Sequence, residues 1–170
     1  MNIREQVFKI LAAFGRGDAC LRREDWTGAI LQYAEATDTL MRLPESEPFD
    51  RLCFVASCLA GIAVANIALQ DYMKGLQCAE EALSFFDRAG NMYPAERGKW
   101  LLAILAKGIA CLVLGRTVEA EKCRQRAKQM LAGSPGKLNF RAEIDQFLEA
   151  LEASLRGDRA ETKGWWQFWK

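Results

Sequence analysis

The chain is 170 residues long, about one domain's worth of sequence, and an apolar share of 51% supports a buried core and excludes a disordered chain. Its net charge is +1 with no basic block, which excludes a nucleic-acid-binding polycation. Histidine is absent, so the commonest general base and the commonest nitrogen metal ligand are both missing.

Ile3, Val7, Ile10, Leu11 and Phe14 recur at helical spacing and predict a first helix over about 3–21. Arg4, Glu5, Lys9 and Arg16 interrupt this stretch, so it does not read as a signal peptide. The polar residues Arg22 to Asp25 make a turn, and a second helix follows over about 26–43. Pro44-Glu45-Ser46-Glu47-Pro48 ends it. The third helix, about 49–69, contains an uncharged stretch from Leu52 to Leu69 that meets the minimum length for a membrane span. Seven of its members are Ala, Gly or Ser and Asn66 interrupts it, so a buried central helix is the expectation. Gln70 and Asp71 turn the chain, with Asp71 as the N-cap of a fourth helix over about 72–89.

Gly90-Asn91-Met92-Tyr93-Pro94 is the next break, with Gly90 placed like a C-cap. A fifth helix is predicted over about 95–114, then a turn at Gly115-Arg116, then a sixth helix capped by Thr117 and running to about 131. Ala132-Gly133-Ser134-Pro135-Gly136 is a loop. The seventh helix, about 139–156, has a dry face of Phe140, Ile144, Phe147, Leu148, Leu151 and Leu155 and a wet face of Arg141, Glu143, Asp145, Glu149 and Glu152. One wet and one dry face suit a terminal cap. Residues 157–170 form a polar linker and a tail in which Trp165, Trp166, Phe168 and Trp169 are four of the last six residues. No segment alternates with period two, so no strand is predicted.

Six cysteines, Cys20, Cys53, Cys58, Cys78, Cys111 and Cys123, form no CxxC pair. In alanine-rich helices they read as small buried hydrophobes kept reduced in the cytoplasm, with metal or redox roles as the alternatives. Enzymatic chemistry finds little support. Glu80-Glu81 and Glu149/Glu152 fall on solvated helix faces, and Gly133-Ser134-Pro135-Gly136 lacks the Lys-Ser/Thr of a phosphate loop. No cysteine or serine has a histidine to activate it. The chain is therefore read as a non-enzyme without cofactor, metal or catalytic residues.

A spacing of small residues recurs three times: Gly17, Ala29, Ala36; Ala63, Gly75, Ala82; Gly108, Ala120, Ala127. The twelve-residue interval carries one helix through a turn into the next, and the seven-residue interval is about two turns along the second helix. With the turns Glu24-Asp25-Trp26, Gln70-Asp71-Tyr72 and Leu114-Gly115-Arg116, this pattern resembles the tetratricopeptide repeat (TPR), over about 11–131. Departures are visible. The bulky site in the second helix is Tyr33 in the first copy but Ala79 and Arg124 in the others. The early tryptophan and the closing proline are missing. The period from Ala29 to Gly75 to Ala120 is 46 and then 45 residues instead of 34. Within the superfamily, and with Gly98-Lys99-Trp100 contributing, the chain is most similar to a small bacterial TPR-like family of unknown function.

The resemblance implies an all-α, right-handed solenoid over 1–156, with elongated helix pairs at about 3–43, 49–89 and 95–131 and a capping helix at about 139–156. It implies a protein–protein interaction module: an adaptor, scaffold or chaperone-like protein. The family's concave positions fall on Leu11, Phe14, Asp18, Leu21 and Arg22, on Ser57, Ala60, Val64, Ile67 and Ala68, and on Leu102, Leu105, Ile109, Leu112 and Val113. That trough is apolar and suits an amphipathic helix or aromatic peptide. The positions at which chaperone-tail receptors carry a cationic clamp hold Phe14, Asp18, Gly61, Leu102 and Ala106. Three internal coverings stay open: the seventh helix, the tail, or a second subunit in a homodimer. For the tail motif, packing on its own or a second chain, capture of a partner, and contact with a membrane surface as a peripheral scaffold's anchor all stay open.

Overall fold

The fold is built from one turn used three times. Glu24, Gln70 and Gly115 all take left-handed backbone, at φ 60°, 66° and 83°. The N–H that follows reaches back five residues: Asp25 to the Cys20 carbonyl at 2.9 Å, Asp71 to Asn66 at 2.9 Å and Arg116 to Cys111 at 2.7 Å. This satisfies carbonyls that the ending helix leaves open. The next helix is then capped, as the Asp25 side chain accepts from the Gly28 N–H and Asp71 from the Lys74 N–H. The third copy departs from expectation. Thr117 is the first helical residue, and the cap position belongs to Arg116, which makes no side-chain cap bond.

The computed structural model describes residues 2–134 and 136–157. Among them run seven α-helices: α1 (Ile3–Arg22), α2 (Trp26–Met41), α3 (Arg51–Ala68), α4 (Tyr72–Ala89), α5 (Arg97–Val113), α6 (Thr117–Ala132) and α7 (Arg141–Leu155). Two short 3₁₀ turns, Gly90–Met92 and Pro94–Glu96, lead into α5. The pairs α1/α2, α3/α4 and α5/α6 pack as hairpins, α2 meets α3, α4 meets α5, and α7 closes on α5 and α6. This is the expected all-α solenoid of three elongated pairs and a capping helix. The described residues contain no strand.

All nine small residues of the repeat are buried. A Cβ on Gly75 would sit 2.6 Å from Ile67 Cδ1, and one on Gly108 would sit 2.8 Å from Leu151 Cδ2. The small side chains are therefore what lets the helices approach. In the first pair the approach differs, because Tyr33 of α2 slides its ring between Gly17 of α1 and Gly61 of α3. Gly90 ends α4 with ordinary right-handed backbone, at φ −58°, so it is no left-handed C-cap. It is small for another reason: a Cβ there would meet the Trp100 ring at 2.5 Å.

The core fills the interval between the two helix layers, and α3 and α5 contribute most of it. Although α3 is long and apolar enough to cross a membrane, 61% of it is buried inside the fold. Its two buried polar residues are satisfied: Asn66 donates to the Ile62 carbonyl at 3.0 Å and Ser57 donates to Glu96. All six cysteines are free, five of them buried and Cys78 half-buried.

Candidate functional site

The inner helices α1, α3 and α5 do not close equally. α3 and α5 lie side by side, whereas α1 touches α3 sparingly. The gap contains an open groove of about 530 Å³. Leu11 and Phe14 of α1 form one wall, Cys53, Phe54 and Ser57 of α3 form its floor, and the segments 48–50 and 92–96 close its ends.

Each wall is fixed by polar ties. Arg51 donates to the carbonyls of Leu40, Leu43 and Pro44, at 2.8, 2.8 and 2.6 Å, which closes the end of α2 and holds the loop that carries Phe49 and Asp50. Asp50 caps α3 through Cys53 N–H and also accepts from the Tyr93 hydroxyl, joining the two loops. Ser57 Oγ donates to Glu96 Oε2 at 2.6 Å. The rings interlock: Phe14 and Phe54 lie 4.9 Å apart, and Phe49 meets Phe54 edge-on at 5.2 Å.

Beneath the groove lies a buried polar cluster. Lys99, only 2% exposed, enters from α5. Its Nζ donates to Asp18 Oδ1 at 2.8 Å, to Tyr33 Oη at 2.9 Å and to the Ser57 carbonyl at 3.4 Å. The Tyr33 hydroxyl donates to the same Asp18 oxygen at 2.5 Å. The rings of Phe14, Tyr33 and Phe140 stand 4.7, 4.5 and 5.1 Å from the ammonium. Burial, reinforced by the Asp18 charge, pushes the Tyr33 phenol far above its ordinary range, so it stays a neutral donor. Burial also pushes the Cys58 thiol up to about 12, against the opposing pull of Lys99.

The residues Gly98-Lys99-Trp100 thus have three separate tasks. Gly98 admits the Asn139 carbonyl, which a Cβ would meet at 2.2 Å. Lys99 ties α5 to α1. Trp100 stacks on Phe86 at 6.2 Å and donates to Asp87 at 3.1 Å. Phe140, at the head of α7, takes left-handed backbone at φ 61° while Arg22 of α1 lies 4.3 Å over its ring.

The expected trough is therefore only partly a surface. Leu11 and Phe14 line the groove, and Asp18 lies below it, paired to Lys99. Leu21, Val64, Ile67, Leu102, Leu105, Ile109 and Leu112 are buried and present nothing to a partner. For the residues of α5 the physical reason is α7, which packs along α5 with Ile144, Phe147 and Leu151 fully enclosed, whereas Leu21, Val64 and Ile67 are enclosed within the core between the helix pairs. Of the coverings left open by the sequence, the seventh helix fills the third repeat. Phe49, Asp50, Phe54, Met92, Tyr93 and Glu96 line the groove yet were not singled out from the sequence, because repeat positions index helices and five of these six sit in loops or short turns. Their signal was the presence of Phe49, Met92 and Tyr93 in otherwise polar breaks. The tail motif, Trp165, Trp166, Phe168 and Trp169, lies outside the described residues.

Among the described residues no cluster of three or more cysteine and carboxylate side chains is arranged to hold a metal. No curated protein matches the chain. The crystal structure of a TPR-like protein from Chlorobium tepidum TLS matches it with a TM-score of 0.84 at 24% identity, covering 94% of this chain and 100% of that one. The model of a family described as a domain of unknown function, DUF3856, matches residues 3–144. With this match spanning most of its length, the chain belongs to the DUF3856 family and has a TPR-like fold.

Proposed function

We propose that the chain is a protein-interaction module, serving as an adaptor, scaffold or chaperone-like protein, whose binding surface is the groove between α1, α3 and the two loops. The observation that carries this reading is the groove itself, an open apolar hollow of about 530 Å³ on a fold with a filled interior. Leu11 and Met92 stand 52% and 75% exposed at its rim, an arrangement suited to receiving an apolar or aromatic segment. The unpaired cysteines support a reducing compartment, the cytoplasm.

The test is selection of a displayed library of random octapeptides on the full chain, followed by affinity measurement on Leu11→Glu/Met92→Glu. Both residues are exposed, so this variant should keep its helical circular dichroism and melting temperature. Selected peptides should lose at least tenfold in affinity on it, about 1.4 kcal/mol. Unchanged affinity on a folded variant would remove the groove as the site.

A further inference from the structure

The groove pairs aromatic rings with carboxylates whose charge is not neutralised by a cation. Asp50 and Glu96 both line it, and their hydrogen-bond donors are a hydroxyl each, Tyr93 and Ser57, with the Cys53 amide as a further donor to Asp50. Neither carboxylate joins an ion pair among the described residues. The cations nearest in sequence are turned elsewhere. Arg51 is committed to the carbonyls at the end of α2, Arg97 to Ser134 and Met130, and Lys99 to Asp18 below the floor. A site that is apolar, aromatic and negative has a definite complement: a cation on an apolar stem. Such a group lies on ring faces with its charge toward the carboxylates. A guanidinium fits best, because it is planar, stacks on rings and is weakly hydrated.

The geometry points to a basic side chain, arginine above all, of an apolar or aromatic partner peptide as the group this groove recognises, held between the rings of Phe14, Phe49 and Phe54 and the carboxylates of Asp50 and Glu96. This rests on the reading of the groove as the binding surface and names the chemistry it selects. Lysine in place of arginine keeps the charge but loses the flat stacking, so it ranks second.

The test uses the full chain and the random octapeptide library, counterselected on Leu11→Glu/Met92→Glu. The retained peptides should be enriched in arginine beside aromatic or aliphatic residues. In a synthetic peptide, arginine replaced by its neutral isostere citrulline should weaken binding about tenfold, and raised salt should weaken the arginine form alone. Glu96→Gln keeps an acceptor for Ser57 and Asp50→Asn keeps the cap of α3, so both should fold. Each should shrink the arginine-to-citrulline ratio several-fold. Groove-dependent peptides without a basic residue, or an unchanged ratio in both variants, would overturn this inference and leave the interaction module standing. Absence of any groove-dependent peptide would overturn both. A gain above tenfold on removing residues 164–170 would show that the chain's own tail, which ends in Lys170, fills the groove, and would overturn the assignment to a partner.

Discussion

Lys99→Met tests whether the buried cation organises the inner face. The ammonium is 2% exposed and its carboxylate partner Asp18 is 19% exposed. Removing one partner of a buried pair costs about 3–5 kcal/mol, because the remaining charge is left uncompensated. Here the cost should fall below that range, at about 2–3 kcal/mol, since Asp18 keeps some water and the Tyr33 hydroxyl. Asp18→Asn should cost a similar amount by stranding the ammonium. The pair of changes together should cost less than their sum by at least about 1.5 kcal/mol, because neither charge is then left alone. Urea unfolding followed at 222 nm measures all four proteins, and an unchanged slope with denaturant would show that the compared states are the same. The single variants should melt about 5–10 °C lower. A loss below about 1 kcal/mol for Lys99→Met, or strict additivity, would refute the argument that the pair is desolvated and coupled.

Two glycines should respond in opposite senses. Gly61→Ala places a methyl 2.3 Å from the Tyr33 ring and should cost at least about 1–3 kcal/mol, whereas Gly15→Ala meets nothing within 4 Å on an exposed turn of α1 and should stabilise by up to about 1 kcal/mol, both read from urea midpoints. Gln70→Gly relieves left-handed backbone at φ 66° and should raise stability by about 0.5–1 kcal/mol, while the same change at Ala68, the last helical residue of α3, should lower it. Burial holds the thiols of Cys53 and Cys58 up to about 12 and that of Cys123 up to about 11, against an ordinary 9.0. Native protein at pH 8 should therefore give a disulfide reagent Cys78 before the others, and all six only after denaturation. Because the folded state holds these protons more tightly than the unfolded chain, their contribution is complete below pH 9 and is lost as pH rises toward 12; melting temperatures across that interval should fall, and a flat profile would contradict the assignment.

The helices were legible because their signals are local. Apolar spacing, the aspartates at the turns and the small-residue register each concern residues within a few turns of one another, and all seven helices fall within two residues of their expected bounds. Thr117 misled because it is a good capping residue in the right place, yet the turn geometry set by Gly115 assigns the cap to Arg116. The groove was less legible, because the fate of an inner-face position depends on what covers it. Leu102 and Leu11 take the same place in the pattern, but one is enclosed and the other is 52% exposed. The difference comes from α7, whose docking on α5 requires contacts such as Leu151 on Gly108 that no periodicity encodes. Lys99 was invisible as a buried group for the same reason: its partner Asp18 is 81 residues away.

The polar cluster and the groove have one origin. In the second and third pairs, small residues let the helices close, and Ala79 stands where the first pair has Tyr33. Tyr33 needs room, and Gly17 on one side and Gly61 on the other provide it. A buried hydroxyl must also be satisfied. Asp18 accepts its hydrogen bond, and Lys99, extended from α5, balances the carboxylate. α1 packs closely on α2 but meets α3 sparingly, so a ring and an ion pair join it to the inner helices, and the interval it leaves against α3 is the groove. Changing the cluster should therefore alter binding without touching a lining side chain. Tyr33→Phe keeps the ring and removes the hydroxyl. If the cluster sets the position of α1, this variant should bind groove-selected peptides more weakly while retaining its helical content. If affinity is unchanged although stability falls, the groove is held by its loops alone, through Asp50–Tyr93 and Ser57–Glu96.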